Sequence, residues 1–147
     1  MGSPERRAWL DERRLAVEQQ YDAEAPEYDD ELYPTTSHRS FIQRLLETCP
    51  PGGTVLDAPC GTGKYFDQVV AAGRQIVGVD QSAGMLARAQ ARGIATRLEH
   101  LGLQEIAFDA EFDGSMTVTR WRTSRPRSGR SCWRTSTGRC APAATCT

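Results

Sequence analysis

Residues 54–63, Thr-Val-Leu-Asp-Ala-Pro-Cys-Gly-Thr-Gly, leave this chain few folds to choose from. A short apolar and β-branched run ends on Asp57 and passes into a turn that holds Gly61 and Gly63. Such a run is the pattern of a strand buried on both faces. A helix–strand rhythm then follows. Lys64 to Ala72 reads as a helix closed by Gly73, Gln75 to Asp80 as a second strand, and Ser82 to Arg92 as a capped helix ended by Gly93. Ile94 to Glu99 and Phe112 to Val118 read as a third and a fourth strand. Upstream, residues 4–20 predict a helix with a loose stripe of Trp9, Leu10, Ala16 and Val17, and Tyr21 to Tyr33 is polar and acidic. Phe41, Ile42, Leu45 and Leu46 fall at helical spacing, with Ser37 as N-cap and Pro50-Pro51-Gly52-Gly53 as the stop. Strands alternating with helices of about ten residues make βαβ units, and so an α/β fold with a parallel sheet.

In such a sheet ligands bind beyond the carboxyl ends of the strands. Three readings compete there. A phosphate-binding loop needs glycine at position 58 and Ser or Thr at 65, where the chain has Ala58 and Tyr65. The dinucleotide fingerprint is met at Gly61 and Gly63, but its third glycine is replaced by Phe66. A NAD-type ligand stays open as an alternative. The third reading is S-adenosylmethionine, whose sulfonium is cationic and which has no pyrophosphate. It therefore prefers carboxylates near the turn to an anion-binding helix end. Asp57 supplies one carboxylate. Asp80, seventeen residues beyond Gly63, can accept both ribose hydroxyls. Met85 and Leu86 on the next helix offer the adenine an apolar wall, with a core role for Met85 equally open.

Three stretches, in order, resemble the core of a class I S-adenosylmethionine-dependent methyltransferase. They are VLDAPCGTG, VGVDQSAGMLARAQ (Val77 to Gln90) and FDAEFDGSMTV (Phe108 to Val118). The segment YD…APEYD, from Tyr21 to Asp29, resembles the lead-in helix and cap of small-molecule members. The resemblance spans about 100 of the 147 residues. It implies a Rossmann-like parallel sheet with flanking helices, incomplete here at roughly four of the usual seven strands and ending in an irregular tail. It also implies that Asp57, Ala58, Gly61 and Gly63 frame the methionyl part of the cofactor, that Asp80 and Gln81 serve the ribose, and that Met85 packs on the adenine. The loop around Gly102 and Leu103 would close over the adenine edge. The implied reaction is methyl transfer to a small-molecule acceptor, to which the protein contributes mainly proximity and alignment. No catalytic residue or general base is legible.

Other residues carry less. Cys60 lies inside the motif but has no histidine near it in sequence, so a nucleophilic role is not expected. The five cysteines include no CxxC, and His38 and His100 lie far from the tail cysteines, so neither a metal nor a disulfide framework is expected. His38 and His100 read as surface or loop residues, and Tyr21 and Tyr28 as packing aromatics. No run approaches the roughly 18 apolar residues of a membrane span. The charged Glu5-Arg6-Arg7 start lacks a signal peptide's apolar region. A cytoplasmic protein with no membrane partner is expected.

The formal net charge of −1 averages two unlike pieces. Residues 1–118 hold all 19 acids and 11 of the 18 bases, whereas 119–147 hold seven Arg, no acid and no Leu, Ile, Val, Phe, Met or Tyr. Such a segment cannot close a core. Joining the third base of each codon to the first two of the next permits, from the Val118–Thr119 junction onward, the reading DAMENVPPEEWPVVLANLHRALRPGGHLY. That string continues the fourth strand, forms an amphipathic helix and ends in a Pro-Gly-Gly turn before another strand. The organisation expected is a helical lead-in over 1–50, a partial cofactor-binding core over 51–118 and an off-frame, disordered tail over 119–147. A non-catalytic fragment is the main alternative. A tail that binds nucleic acid through its arginines, with Trp121 and Trp133 stacking, ranks below both. The oligomeric state is not readable.

Overall fold

The structure is a computed structural model that describes residues 3–29 and 38–118, with the backbone of 133–134 and 140–141. Helix α1 spans Pro4–Glu24, and the Ser3 hydroxyl at its N-cap accepts from the Arg6 N–H at 3.3 Å. It outlasts the predicted 4–20 and gives way to a 3-10 turn at Ala25–Glu27, where Pro26 bars a further α turn. Its apolar stripe buries nothing: Trp9, Leu10 and Val17 stay exposed. Helix α2, Arg39–Thr48, presents Ile42 and Leu46 to the core. Ser37, the expected cap, lies outside the described residues, and the N-cap position is His38, without a side-chain cap bond. At the other end Arg74 donates to the carbonyls of Leu46 (2.9 Å) and Cys49 (2.7 Å), satisfying acceptors that the helix end leaves open.

The sheet follows as β1 (Thr54–Asp57), α3 (Phe66–Ala71), β2 (Gln75–Asp80), α4 (Ala83–Ala91), β3 (Arg97–His100) and β4 (Gly114–Met116). All four strands are parallel, in the order β3-β2-β1-β4. The α/β class and incomplete parallel sheet expected from the sequence are therefore what forms. Three boundaries move, one of them at β4, which is confined to Gly114–Met116 within the expected Phe112–Val118. Helix α3 starts at Phe66 rather than Lys64, because residues 61–65 are spent in the turn. Strand β3 starts at Arg97 rather than Ile94, and Thr96 reaches the sheet by donating to the Ile76 carbonyl at 2.9 Å.

Alternation along the strands builds two cores. Val55 and Ile76 face Ile42, Leu46, Phe66, Val69 and Ala89, so α2, α3 and α4 all cover one face. Leu56, Val77 and Val79 face the other, covered among the described residues by Leu101, Ile106, Phe108 and Phe112. Phe66 is fully buried and explains two glycines. A Cβ at Gly78 would lie 2.8 Å from its ring and 2.7 Å from Leu98, and one at Gly63 would lie 2.7 Å from the same ring. In a dinucleotide fold the third fingerprint glycine lets helix and strand approach. Here a phenylalanine takes that position, and β2 gives way instead.

Beyond Val118, Trp133–Arg134 and Cys140–Ala141 pair as a short antiparallel ladder, β5 and β6. The rest of the stretch expected to be an irregular tail lies outside the described residues.

Candidate cofactor site

The chain runs outward from β1 to β2 to β3 and then crosses back to place β4 on the far side of β1. The point where the strand order reverses is where ligands sit in open α/β sheets. The carboxyl ends of β1 and β2 put Asp57 and Asp80 there, both buried, at 1% and 7% exposure. The glycine turn leans over them. The Cys60 N–H donates to the Val79 carbonyl at 2.8 Å, and the Gly61 N–H to Asp80 Oδ2 at 2.8 Å. Gly61 and Gly63 have φ of +54° and +71°, a region that residues with a Cβ seldom enter. A Cβ at Gly61 would meet nothing within 4 Å, so the turn presents open backbone.

The two carboxylates differ in their partners. Asp80 Oδ1 accepts from the Ser82 N–H at 2.9 Å while Oδ2 holds Gly61. Burial still raises its carboxyl above the ordinary range, against the pull of the Ser82, Gly61 and Gln81 amides. Asp57 Oδ1 is buried with no hydrogen-bond partner. Burial, and then the Asp80 charge, hold its carboxyl well above the usual carboxylate range. A buried acceptor without a donor is costly. It asks for a cationic or hydrogen-donating group. A pyrophosphate beside these two acids would be repelled.

The other expected site residues fall nearby. Ala58 is buried behind Asp57, and Gln81 follows Asp80, its carbonyl 2.7 Å from His100 Nε2. Ser82 caps α4 as expected, its hydroxyl accepting from the Met85 N–H at 3.1 Å, and Met85 is buried in the first turn. The loop after β3 is tied to the site where Leu101 N–H donates to the Asp80 carbonyl at 3.0 Å. Gly102 is buried in that loop and Leu103 stands exposed at its rim. Glu105, which the sequence did not single out, accepts from the Gly102 N–H at 2.7 Å. That bond lowers the Glu105 carboxyl.

Cys60 is no nucleophile: burial, with the charges of Asp57 and Asp80, drives its thiol far up, so it stays protonated. Tyr21 and Tyr28 pack edge to face, 6.2 Å apart. His38 is an exposed turn residue, as expected. Its Nδ1 lies 3.1 Å from the Tyr65 hydroxyl, and burial and the Asp57 charge push that phenol up. His38 also lines an apolar groove of about 410 Å³ with Phe41, Ile42, Leu45, Met116 and Val118, beside the carboxyl end of β4.

The methyltransferase-domain family matches residues 55–134. The human methyltransferase-like protein 27 is 38% identical over 104 residues, covering 61% of this chain and 42% of that protein. The malonyl acyl-carrier-protein O-methyltransferase of Pectobacterium atrosepticum is 36% identical over 97 residues, covering 61% of this chain and 38% of its own length. The solved DhpI-SAM-HEP complex is 27% identical with a TM-score of 0.50, covering 67% of this chain and 47% of that one. The chain thus spans less than half the length of the curated relatives it matches here.

Proposed function

The chain belongs to the methyltransferase-domain family, and from that premise we propose that it binds S-adenosylmethionine at the β1 turn and that the whole domain, of which this chain carries a part, transfers methyl groups to a small-molecule acceptor. The observation that carries this reading is the pair of buried carboxylates at the switch point, one with an unpartnered oxygen. The donor set fits the cofactor. Asp57 offers its orphaned acceptor to the cationic methionyl end. Each Asp80 oxygen keeps a lone pair beyond its backbone bond, enough for two ribose hydroxyls. Gly61 and Gly63 frame the methionyl part, with Ala58 below. Gln81 borders the ribose, and Met85, Gly102 and Leu103 wall the adenine. When bound, the sulfonium supplies an activated methyl group that leaves behind a neutral thioether. The chain's own contribution is to hold that group in line with the acceptor and keep water away.

A small acceptor is supported by the YD…APEYD lead-in; the Pectobacterium relative is named for a malonyl group carried on acyl-carrier protein. A cytoplasmic location goes with this reading. No helix among the described residues is long and apolar enough to cross a membrane. Titration calorimetry tests the cofactor. Micromolar binding of S-adenosylmethionine, about −8 kcal/mol, with no heat from NAD, is expected. Binding of NAD, or of neither ligand, overturns the reading, the latter in favour of a non-catalytic fragment.

We also read residues 119–147 as an off-frame continuation of the same domain. The reading is supported by composition: residues 119–147 hold seven Arg, no acid and no Leu, Ile, Val, Phe, Met or Tyr, unlike the 118 residues before them. Sequencing the gene around codon 118 is expected to reveal a one-base discontinuity. An intact frame encoding the Arg-rich tail overturns it.

A further inference from the structure

Two carboxylates of the lead-in segment, Asp22 and Asp29, fasten it along α4, one at each end. At the amino end, Asp22 Oδ1 accepts from the Ser82 hydroxyl at 2.5 Å and from the Gly84 N–H at 2.9 Å. The Ser82 bond comes first among the causes that lower the Asp22 carboxyl. The segment then lies against the helix. A Cβ at Gly84 would sit 3.1 Å from the Ala25 Cβ and 3.2 Å from the Asp22 Cα, so this close approach uses a glycine. The Pro26 carbonyl accepts from Arg88 Nη1 at 2.9 Å. At the carboxyl end, Asp29 Oδ2 meets Arg92 Nη2 at 3.2 Å and Arg88 Nη2 at 3.5 Å.

The other oxygen of Asp29 reaches the glycine turn. Oδ1 accepts from the Thr62 hydroxyl at 2.7 Å, and Arg92 Nε donates to the Thr62 carbonyl at 2.6 Å. Thr62 is 1% exposed and stands between Gly61 and Gly63. Its side chain and its backbone are both held from outside the site. A turn with two glycines loses more conformational freedom than any other when a ligand fixes it. A clamp that fixes it in advance removes that cost from binding.

We propose that Asp29 is a positioning residue for the cofactor turn, acting through the Thr62 hydroxyl, and that residues 22–29 form the strap that joins turn and α4 into one unit. The proposal rests on the cofactor reading of that turn. The partly buried pairs with Arg88 and Arg92 fasten the segment to α4 and do not reach the turn's hydroxyl. The Thr62 bond, made to a charged acceptor and buried at its donor end, is the specific one.

The test uses the full chain and two readouts: amide hydrogen exchange at Gly61 and Gly63, and calorimetric binding of S-adenosylmethionine. Thr62→Val keeps the shape and removes the donor. Exchange at the two glycines is expected to rise roughly tenfold, the scale of one charge-assisted hydrogen bond, while β1 and β2 amides hold steady and cofactor affinity falls by a similar factor. Thr62→Ser restores both readouts. Asp29→Ala reproduces Thr62→Val, and the double variant adds nothing further, as one shared interaction requires. Unchanged exchange at Gly61 and Gly63, an equal rise across β1 and β2, faster exchange with unaltered affinity, or failure of Thr62→Ser to restore overturns the proposal. A wild-type chain that binds no S-adenosylmethionine counts against the cofactor reading, and the exchange arm then decides the strap by itself.

Discussion

Replacing Asp57 by asparagine is expected to abolish most of the cofactor affinity while raising the melting temperature of the ligand-free chain. The two effects share one cause. Asp57 is buried, and its Oδ1 has no donor. In the free protein the charged form is therefore strained, as its raised carboxyl records. A cationic ligand relieves that strain and recovers it as affinity. Losing a hydrogen bond or ion contact to a buried charge costs about 1.5–3 kcal/mol, a factor of roughly ten to a hundred in affinity. Asparagine has nearly the same shape and no charge, so the free chain gains what the complex loses. Thermal melts and calorimetry on the same variant read both sides.

The pH dependence follows with a definite sign. The folded chain holds the Asp57 proton more tightly than the unfolded chain, whose carboxyl titrates near the ordinary value of 3.8. Stability of the ligand-free wild type therefore falls as pH rises from that value through the raised one. Asp80 is raised as well and adds in the same direction. Affinity for the cation climbs across the same window, because binding favours the ionised acids. In Asp57→Asn both slopes flatten. A stability that rose with pH across this window would contradict the assigned cause.

Much of the geometry of this candidate site was legible because its parts are local. A strand ending on a carboxylate, a turn with glycines at positions 61 and 63, and a serine cap at 82 are patterns spanning a few residues. The fold turns them into a site by parallel pairing alone, Asp57 standing beside Gly78 in register. What escaped was built by contacts between distant residues. Asp22 and Ser82 are 60 positions apart, and Asp29 and Thr62 are 33 apart. Nothing in the spacing of two acids in a polar stretch says which donors they will meet. Strand β3 was expected, but its start was placed three residues early, for a different reason. Apolar Ile94 and Ala95 attracted the assignment, while the ladder is made by Arg97, Leu98, Glu99 and His100. Charges belong on an edge strand, where they discourage further pairing. There Arg97 meets Glu99 at 3.0 Å and Glu111 at 3.2 Å. Phe66 was read as a broken fingerprint. Its burial against Gly63 and Gly78 gives the break a structural reason.

The same substitution at Asp80 is expected to lower affinity as well, but with the opposite effect on stability. Asp80 is not an orphan. Its two oxygens accept from the Gly61 and Ser82 amides, so it links the glycine turn to the start of α4. Asparagine keeps one acceptor and turns an N–H2 group toward the other amide, leaving two donors face to face in a buried site. A buried donor without an acceptor costs about 1–3 kcal/mol. Against this, removing the charge recovers part of the burial penalty that raises the wild-type carboxyl. One lost backbone contact, together with the two donors left facing each other, outweighs one partly compensated charge, so the ligand-free chain is expected to melt several degrees lower. Affinity for S-adenosylmethionine is expected to fall by roughly a hundredfold as the ribose acceptor and the turn geometry fail together. Melting Asp57→Asn and Asp80→Asn side by side separates the two roles: equal shifts of the same sign would mean that both acids are only buried charges, whereas opposed shifts with a common loss of affinity identify Asp57 as the strained acceptor and Asp80 as the structural link that also binds.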